Sequence, residues 1–164
     1  MLIDLKQVFD IEGEAVPFTH DLSLADIELW GNKPFDHPVH LVGKVENRSG
    51  VVSMEYRVFL KMNVMCGRCL KEQEREEEYF FEHTLVPELN DTDNGDFIVV
   101  SGAELDLDEL ATSDILLELP STVLCRPDCK GLCPVCGCDL NEHSCQCGSR
   151  QTDPRLEILS KFFE

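Results

Sequence analysis

Basic residues are scarce in this chain: 14 lysines and arginines stand against 32 acids, for a formal net charge of −18. A surface that grips nucleic acid over a large area needs clustered cations for the phosphates, so this balance argues against extended binding to bare RNA or DNA and favours basic protein partners. Aromatics make up 7% of the residues, with a single Trp. No run approaches the roughly twenty apolar residues that a spanning helix needs. Residues 1–10 carry acids inside an apolar stretch and no small-residue cleavage site, which is not the pattern of a secretory signal. A Gly-rich phosphate loop and a Gly-x-Ser-x-Gly elbow are also missing. A nucleobase deaminase would need His-x-Glu followed by Pro-Cys-x-x-Cys, whereas here the proline, Pro134, lies inside the cysteine pair. These absences predict a soluble, cytoplasmic, non-enzymatic protein with no membrane association and no small-molecule substrate.

Cysteine is what the chain has in excess. Nine are present, and seven of them fall between Cys125 and Cys147. In a reducing compartment such thiols read as metal ligands rather than as a disulfide framework. Counting by fours gives two sites. Site one takes Cys66 and Cys69, in Cys-Gly-Arg-Cys after a strand, with Cys125 and Cys129. Site two takes Cys133 and Cys136 with Cys145 and Cys147, leaving Cys138 over. Two short hooks close a tetrahedron around Zn²⁺, and Gly137 after the second Cys permits the positive φ that such a turn requires. Four thiolates leave no open coordination position, so one or two zinc ions here are structural. Alternatives stay open at this point. Cys66 and Cys69 also spell a thioredoxin-type redox pair, which needs a helix N-terminus to activate the first thiol; four cysteines also suit an iron–sulfur cluster. His143 lies within the second site's span and reads as a solvated loop residue.

The remaining pattern predicts an α+β fold: an antiparallel β-sheet or partly closed barrel with a packed helix and a C-terminal Cys-rich zinc knuckle. Residues 39–45 and 51–65 read as a hairpin turning at 47–50, and a third strand runs from about 74 to 86 with Tyr79, Phe81 and Leu85 on one face. A polar loop covers 87–95, and 97–100 form a short strand. Residues 106–119 read as a helix capped by Asp106, with Leu107, Leu110, Ala111 and Ile115 on one face and Pro120 as its stop. A short amphipathic helix is expected from Asp153 onward. Residues 1–38 are weakly patterned, with 24–30 as a strand or edge segment. This divides the chain into a core domain, 1–124, and a knuckle with its C-terminal helix, 125–164. Charge is uneven: residues 1–65 carry −4, 66–122 carry −13 and 123–164 carry −1.

Several pieces now line up in order: Cys-x-Arg-Cys-Leu at Cys66 to Leu70, Leu-Glu-Leu-Pro at Leu117 to Pro120, Cys-Lys-Gly-Leu-Cys-Pro-x-Cys-Gly at Cys129 to Gly137 with Asp139-Leu-Asn141, and Asp-Pro-Arg-Leu at Asp153 to Leu156. In these the chain resembles the YceD-like proteins, described as large-subunit ribosomal RNA accumulation proteins. The resemblance implies a bacterial cytoplasmic factor needed for normal accumulation of that RNA, and it implies no catalytic residues. Cys138 departs from the family pattern, so an exchange between Cys138 and Cys136 as ligand stays open. The expected partner is a basic ribosomal protein or a ribosome assembly intermediate, with a weak RNA contact through Arg126, Lys130 and Arg150. Thiol redox or zinc-responsive chemistry at Cys66 and Cys69 is the competing reading.

Overall fold

The computed structural model describes residues 1–88 and 97–147. Its elements run β1 (Leu2–Asp4), α1 (Lys6–Asp10), β2 (Ala15–Leu22), β3 (Val39–Arg48), β4 (Val51–Met65), β5 (Glu72–Val86), β6 (Phe97–Val99), a 3₁₀ turn (Ser101–Ala103), β7 (Glu104–Asp106) and α2 (Leu107–Glu118). Strands β2 to β6 form one sheet in sequence order, and β1 pairs with β7 in a separate two-stranded sheet.

The sheet is built on β4, whose residues alternate strictly between the two faces. Met54, Tyr56, Val58, Leu60, Met62 and Val64 are buried on one side, as a half-buried strand of period two requires. Val39, Leu41 and Val45 of β3 extend that inner face. Ser49 and Gly50 join β3 to β4 with φ of 53° and 83°, the two left-handed residues of a type I′ hairpin turn. Just before the turn, buried Asn47 donates from Nδ2 to the Val8 carbonyl at 2.7 Å and accepts the Gly50 N–H at 3.0 Å, which fixes α1 against the hairpin.

Helix α2 covers the inner face. Asp106 caps it by accepting the Asp108 N–H at 3.0 Å, and Leu107, Ala111 and Ile115 are buried. Asp114 points back at the sheet, where the Tyr56 hydroxyl donates to its Oδ2 and His83 Nε2 lies 2.7 Å from the same oxygen. Burial and the Asp114 charge push the Tyr56 hydroxyl above its usual range.

The α+β class and the packed helix agree with the sequence reading, and three details are corrected. The main sheet is mixed rather than antiparallel, because β6 runs parallel to β5 through Thr84↔Phe97, Leu85↔Ile98 and Val86↔Val99. It is an open sheet and not a closed barrel: β2 and β6 lie at opposite ends of the strand order. Residues 24–30 form no extended strand; Leu29 makes an isolated bridge with Asn32 around Trp30 and Gly31, both at positive φ. The strand that does lie in this region is β2, pairing with β3 from Ala15↔Glu46 to Leu22↔Val39. The helix expected from Asp153, and most of the loop expected over 87–95, lie outside the described residues.

Candidate metal centres

Cys66 and Cys69 sit in the turn that reverses β4 into β5. The Cys66 N–H donates to the Lys71 carbonyl at 2.9 Å, and the Leu70 N–H to the Cys66 carbonyl at 2.9 Å. Cys69 is therefore succeeded by a tight turn and a strand, not a helix, so the helix N-terminus that a thioredoxin-type pair uses is missing at this position. The second hook arrives after α2. Gly67 N–H donates to the Val123 carbonyl at 2.8 Å, and Arg68 Nη1 donates to the Cys129 carbonyl at 2.7 Å, docking residues 123–129 onto the turn. All four sulfurs of Cys66, Cys69, Cys125 and Cys129 lie within 4.8 Å of one another.

Cys133 and Cys136 form the second hook, closed by Gly137 N–H donating to the Cys133 carbonyl at 2.8 Å. Gly137 has φ 72°, the left-handed turn its position required. Cys145 and Cys147 return to it, and these four sulfurs also lie within 4.8 Å of one another. A tetrahedral site with metal–sulfur bonds of about 2.3 Å places its sulfurs about 3.8 Å apart. The sulfur pairs Cys66–Cys129, Cys69–Cys125 and Cys145–Cys133 are 3.8, 3.6 and 3.4 Å apart. These spacings are those of a four-thiolate site, and each quartet could hold one metal ion. Cys138 is outside both quartets and contributes its carbonyl, which accepts the Cys133 N–H at 2.8 Å.

The surroundings suit thiolates. Arg68 N–H lies 3.5 Å from Cys66 Sγ, and Val135 N–H lies 3.5 Å from Cys133 Sγ. Burial resists ionisation of Cys66, but the backbone N–H groups of Cys69, Cys125 and Arg68 outweigh it and bring the thiol down to about 6. At Cys133 the N–H groups of Cys136 and Val135 lower it to about 6 as well. One thiol in each quartet is thereby prepared to give up its proton first, while burial and neighbouring sulfurs hold Cys125 up at about 12. The two sites differ in access. Cys66, Cys69 and Cys129 are buried in site one, whereas Cys136 of site two is exposed.

Asn141 joins the two centres. Its Nδ2 lies 3.5 Å from Cys129 Sγ, and its Oδ1 accepts the Lys130 N–H at 2.8 Å and Arg126 Nη2 at 2.9 Å. Asp139 Oδ1 in turn accepts Asn141 N–H at 2.8 Å and Nδ2 at 2.6 Å. Lys71 Nζ, from the turn carrying site one, makes an ion-pair contact of 3.0 Å with Asp139 Oδ2 and one of 2.5 Å with Glu142. The Asn141 N–H and then the Lys71 charge hold the Asp139 carboxyl down at about 2. Cysteine counting does not reveal this scaffold. Its only local signal is the Asp139-Leu-Asn141 spacing, an acid placed to accept the N–H two residues on.

Of the bases expected to touch RNA, Arg126 is engaged with Asn141 and, at 3.4 Å, with Asp128, and Arg150 lies outside the described residues. His143 is exposed, outside both quartets, with its N–H on the Asp139 carbonyl at 3.0 Å. Among the described residues no helix is long and apolar enough to cross a membrane.

The sequence profile of the family described as large ribosomal RNA subunit accumulation protein YceD matches residues 54–163. That stretch holds both quartets. A Bacillus subtilis (strain 168) protein named YlbN is 28% identical over 134 residues, covering 77% of this chain and 75% of that protein. A chloroplastic Arabidopsis thaliana protein named as a YCED homolog 1 of large ribosomal RNA subunit accumulation protein is 36% identical over 50 residues, 30% of this chain and 16% of its own length. Mb2951c of Mycobacterium bovis is 44% identical over 57 residues, 34% of this chain and 26% of its own. No solved structure matches.

Proposed function

Because the chain belongs to the YceD family of large ribosomal RNA subunit accumulation proteins, we propose that it is a non-enzymatic factor in large ribosomal subunit biogenesis. In this reading it is an adaptor that holds a basic ribosomal protein or an assembly intermediate, and the metal in both quartets is structural Zn²⁺. The observation that carries it is the pair of closed four-thiol sites joined through Asn141 and Lys71. Zinc bound there supplies cross-linking and no reactive position, since four thiolates fill the tetrahedron. Its binding free energy, on the order of 10 kcal/mol, acts as folding free energy for residues 125–147, which are too short to bury a core of their own. The acidic middle of the chain is the natural complement of a basic partner, and the sparse free cations near the knuckle limit any RNA contact to a weak one.

The test is co-sedimentation of the tagged chain with large-subunit precursor particles, compared with a Cys133→Ser/Cys136→Ser variant. Enrichment of the intact chain on precursors, lost in the variant together with a fall in large-subunit RNA, is the expected result. Full RNA levels without the protein would overturn the reading.

The Cys-Gly-Arg-Cys spacing of Cys66 and Cys69 is the feature that suits redox chemistry instead. Alkylation decides between the two. Cys66 and Cys69 stay protected in the zinc-loaded protein on the structural reading, and modify first if they form a working dithiol.

A further inference from the structure

Among the described residues, most of the far edge of β5 has no strand partner. Its register with β4 is unbroken from Val52↔Leu85 to Met65↔Glu72, whereas β6 covers the other side only at Thr84, Leu85 and Val86. The direction of the backbone groups is set by two hydrogen bonds. Lys71 C=O accepts the Cys66 N–H across the β4 side, and Val86 C=O accepts the Val100 N–H on the β6 side. Because a strand alternates with period two, the even-numbered residues Glu72, Glu74, Glu76, Glu78, Phe80 and Glu82 turn their N–H and C=O groups to the open edge. Among the described residues, no backbone group pairs with them there. The open stretch is roughly 34 Å long at about 3.4 Å per residue.

A long, regular edge is a template for another strand, and proteins ordinarily blunt it with charged side chains, Pro or a bulge; here the charges are almost all acidic, so they repel an acidic strand and leave a basic one favoured. Between Glu72 and Val86 there is no proline, no lysine and no break in register. The same even-numbered side chains stand exposed on the outer face of the sheet, so any strand added here lies beside a row of carboxylates. Arg57 and Lys61 neutralise part of it, with Arg57–Glu78 at 3.1 Å and Lys61–Glu74 at 2.9 Å. Further along, Glu82 lies directly opposite Glu55 of β4, a like-charge pair that costs stability in the free protein and is relieved by a cation. Phe80 is 57% exposed between Glu78 and Glu82 and offers an apolar anchor.

We propose that the β5 edge from Glu72 to Glu82 binds an extended basic peptide segment by strand addition, its backbone pairing with the even-numbered residues and its alternate Lys or Arg side chains meeting the glutamates. Backbone pairing supplies affinity in this mode and the alternating side chains supply selectivity. A second copy of this chain is a poor occupant, since it would bring an equally acidic strand to the same row. The proposal deepens the adaptor reading by naming the recognition surface, and it rests on that reading only for the partner's being ribosomal.

The experiment uses the full zinc-loaded chain and no ribosomal component, so its failure is separate from failure of the precursor co-sedimentation. The probe is a synthetic decapeptide of alternating lysine and valine, read by amide hydrogen exchange. The expected result is exchange slowed at least about tenfold at Glu74, Glu76, Glu78 and Phe80. A glutamate–valine peptide should give no slowing. Glu78→Pro removes one edge-facing N–H together with the Glu78 carboxylate and leaves the β4 ladder alone; it should bind the lysine peptide about fivefold more weakly than Glu78→Gln, which removes the charge only, while β4 amides exchange as before. A lysine peptide methylated on alternate backbone nitrogens that binds as well as the plain one would overturn the proposal by reducing the contact to charge. Edge amides already protected without peptide would overturn it too, by showing that residues 148–164 or a second copy occupy the edge.

Discussion

If both quartets hold zinc, they should lose it at different rates, and burial sets the difference. At site two Cys136 is exposed, so a chelator reaches a metal–sulfur bond without any opening of the fold. At site one Cys66, Cys69 and Cys129 are buried, and the docked segment is held by the Gly67–Val123 and Arg68–Cys129 hydrogen bonds. Freeing it breaks those two bonds, at about 1 kcal/mol each. It also exposes part of Val123 and Leu132, at about another 1 kcal/mol. An opening that costs about 3 kcal/mol slows release roughly a hundredfold. The assay is stopped-flow release into a chromophoric zinc chelator. Two phases of equal amplitude separated by about two decades are expected. Cys66→Ser should remove the slow phase, and Cys136→Ser the fast one. A single phase, or loss of the slow phase in Cys136→Ser, would refute the argument from burial.

Tyr56→Phe removes the hydroxyl donated to Asp114 and should lower stability by about 1–2 kcal/mol in denaturant melts of the zinc-loaded protein. Because the folded state raises the Tyr56 hydroxyl above its ordinary value of 10.0, the associated stability is full below that pH and lost as pH rises past it. The Phe variant should therefore show a shallower alkaline decline. Asn47→Ala leaves the Val8 carbonyl and the Gly50 N–H without their amide partner and should cost about 1–3 kcal/mol by the same assay. Asp139 is held well below its ordinary 3.8, so its contribution is full above about pH 4 and lost only toward pH 2. Through Asn141 and Lys71 the Asp139 carboxylate supports site one, so Asp139→Asn should speed the slow zinc-release phase by the same factor at pH 6 and pH 8, and a factor that changes between those two pH values would contradict the assignment.

How much was legible in the sequence has physical reasons. Strands β3, β4 and β5 could be read because one face of each meets the core, and β4 buries every second residue over its whole length. Strand β2 could not, since it is an edge strand that buries only Phe18 and Leu22 among Pro17, His20 and Asp21. The parallel placement of β6 was not legible, because its three residues carry no orientation signal. Likewise β1 and β7 are three residues each and lie a hundred positions apart, so no local pattern announces their pairing. The quartets were legible because thiols are rare and hook spacing is chemically constrained. Their scaffold was not, because Lys71, Asp139 and Asn141 are ordinary surface residues until the hooks bring them together.

The most direct test of the account is metal content per chain, by elemental analysis of protein purified without chelators, repeated on the Cys66→Ser/Cys69→Ser double variant. The two quartets predict two zinc ions per chain falling to one. One zinc per chain, unchanged by the substitutions, would contradict site one and leave Cys66 and Cys69 as free thiols.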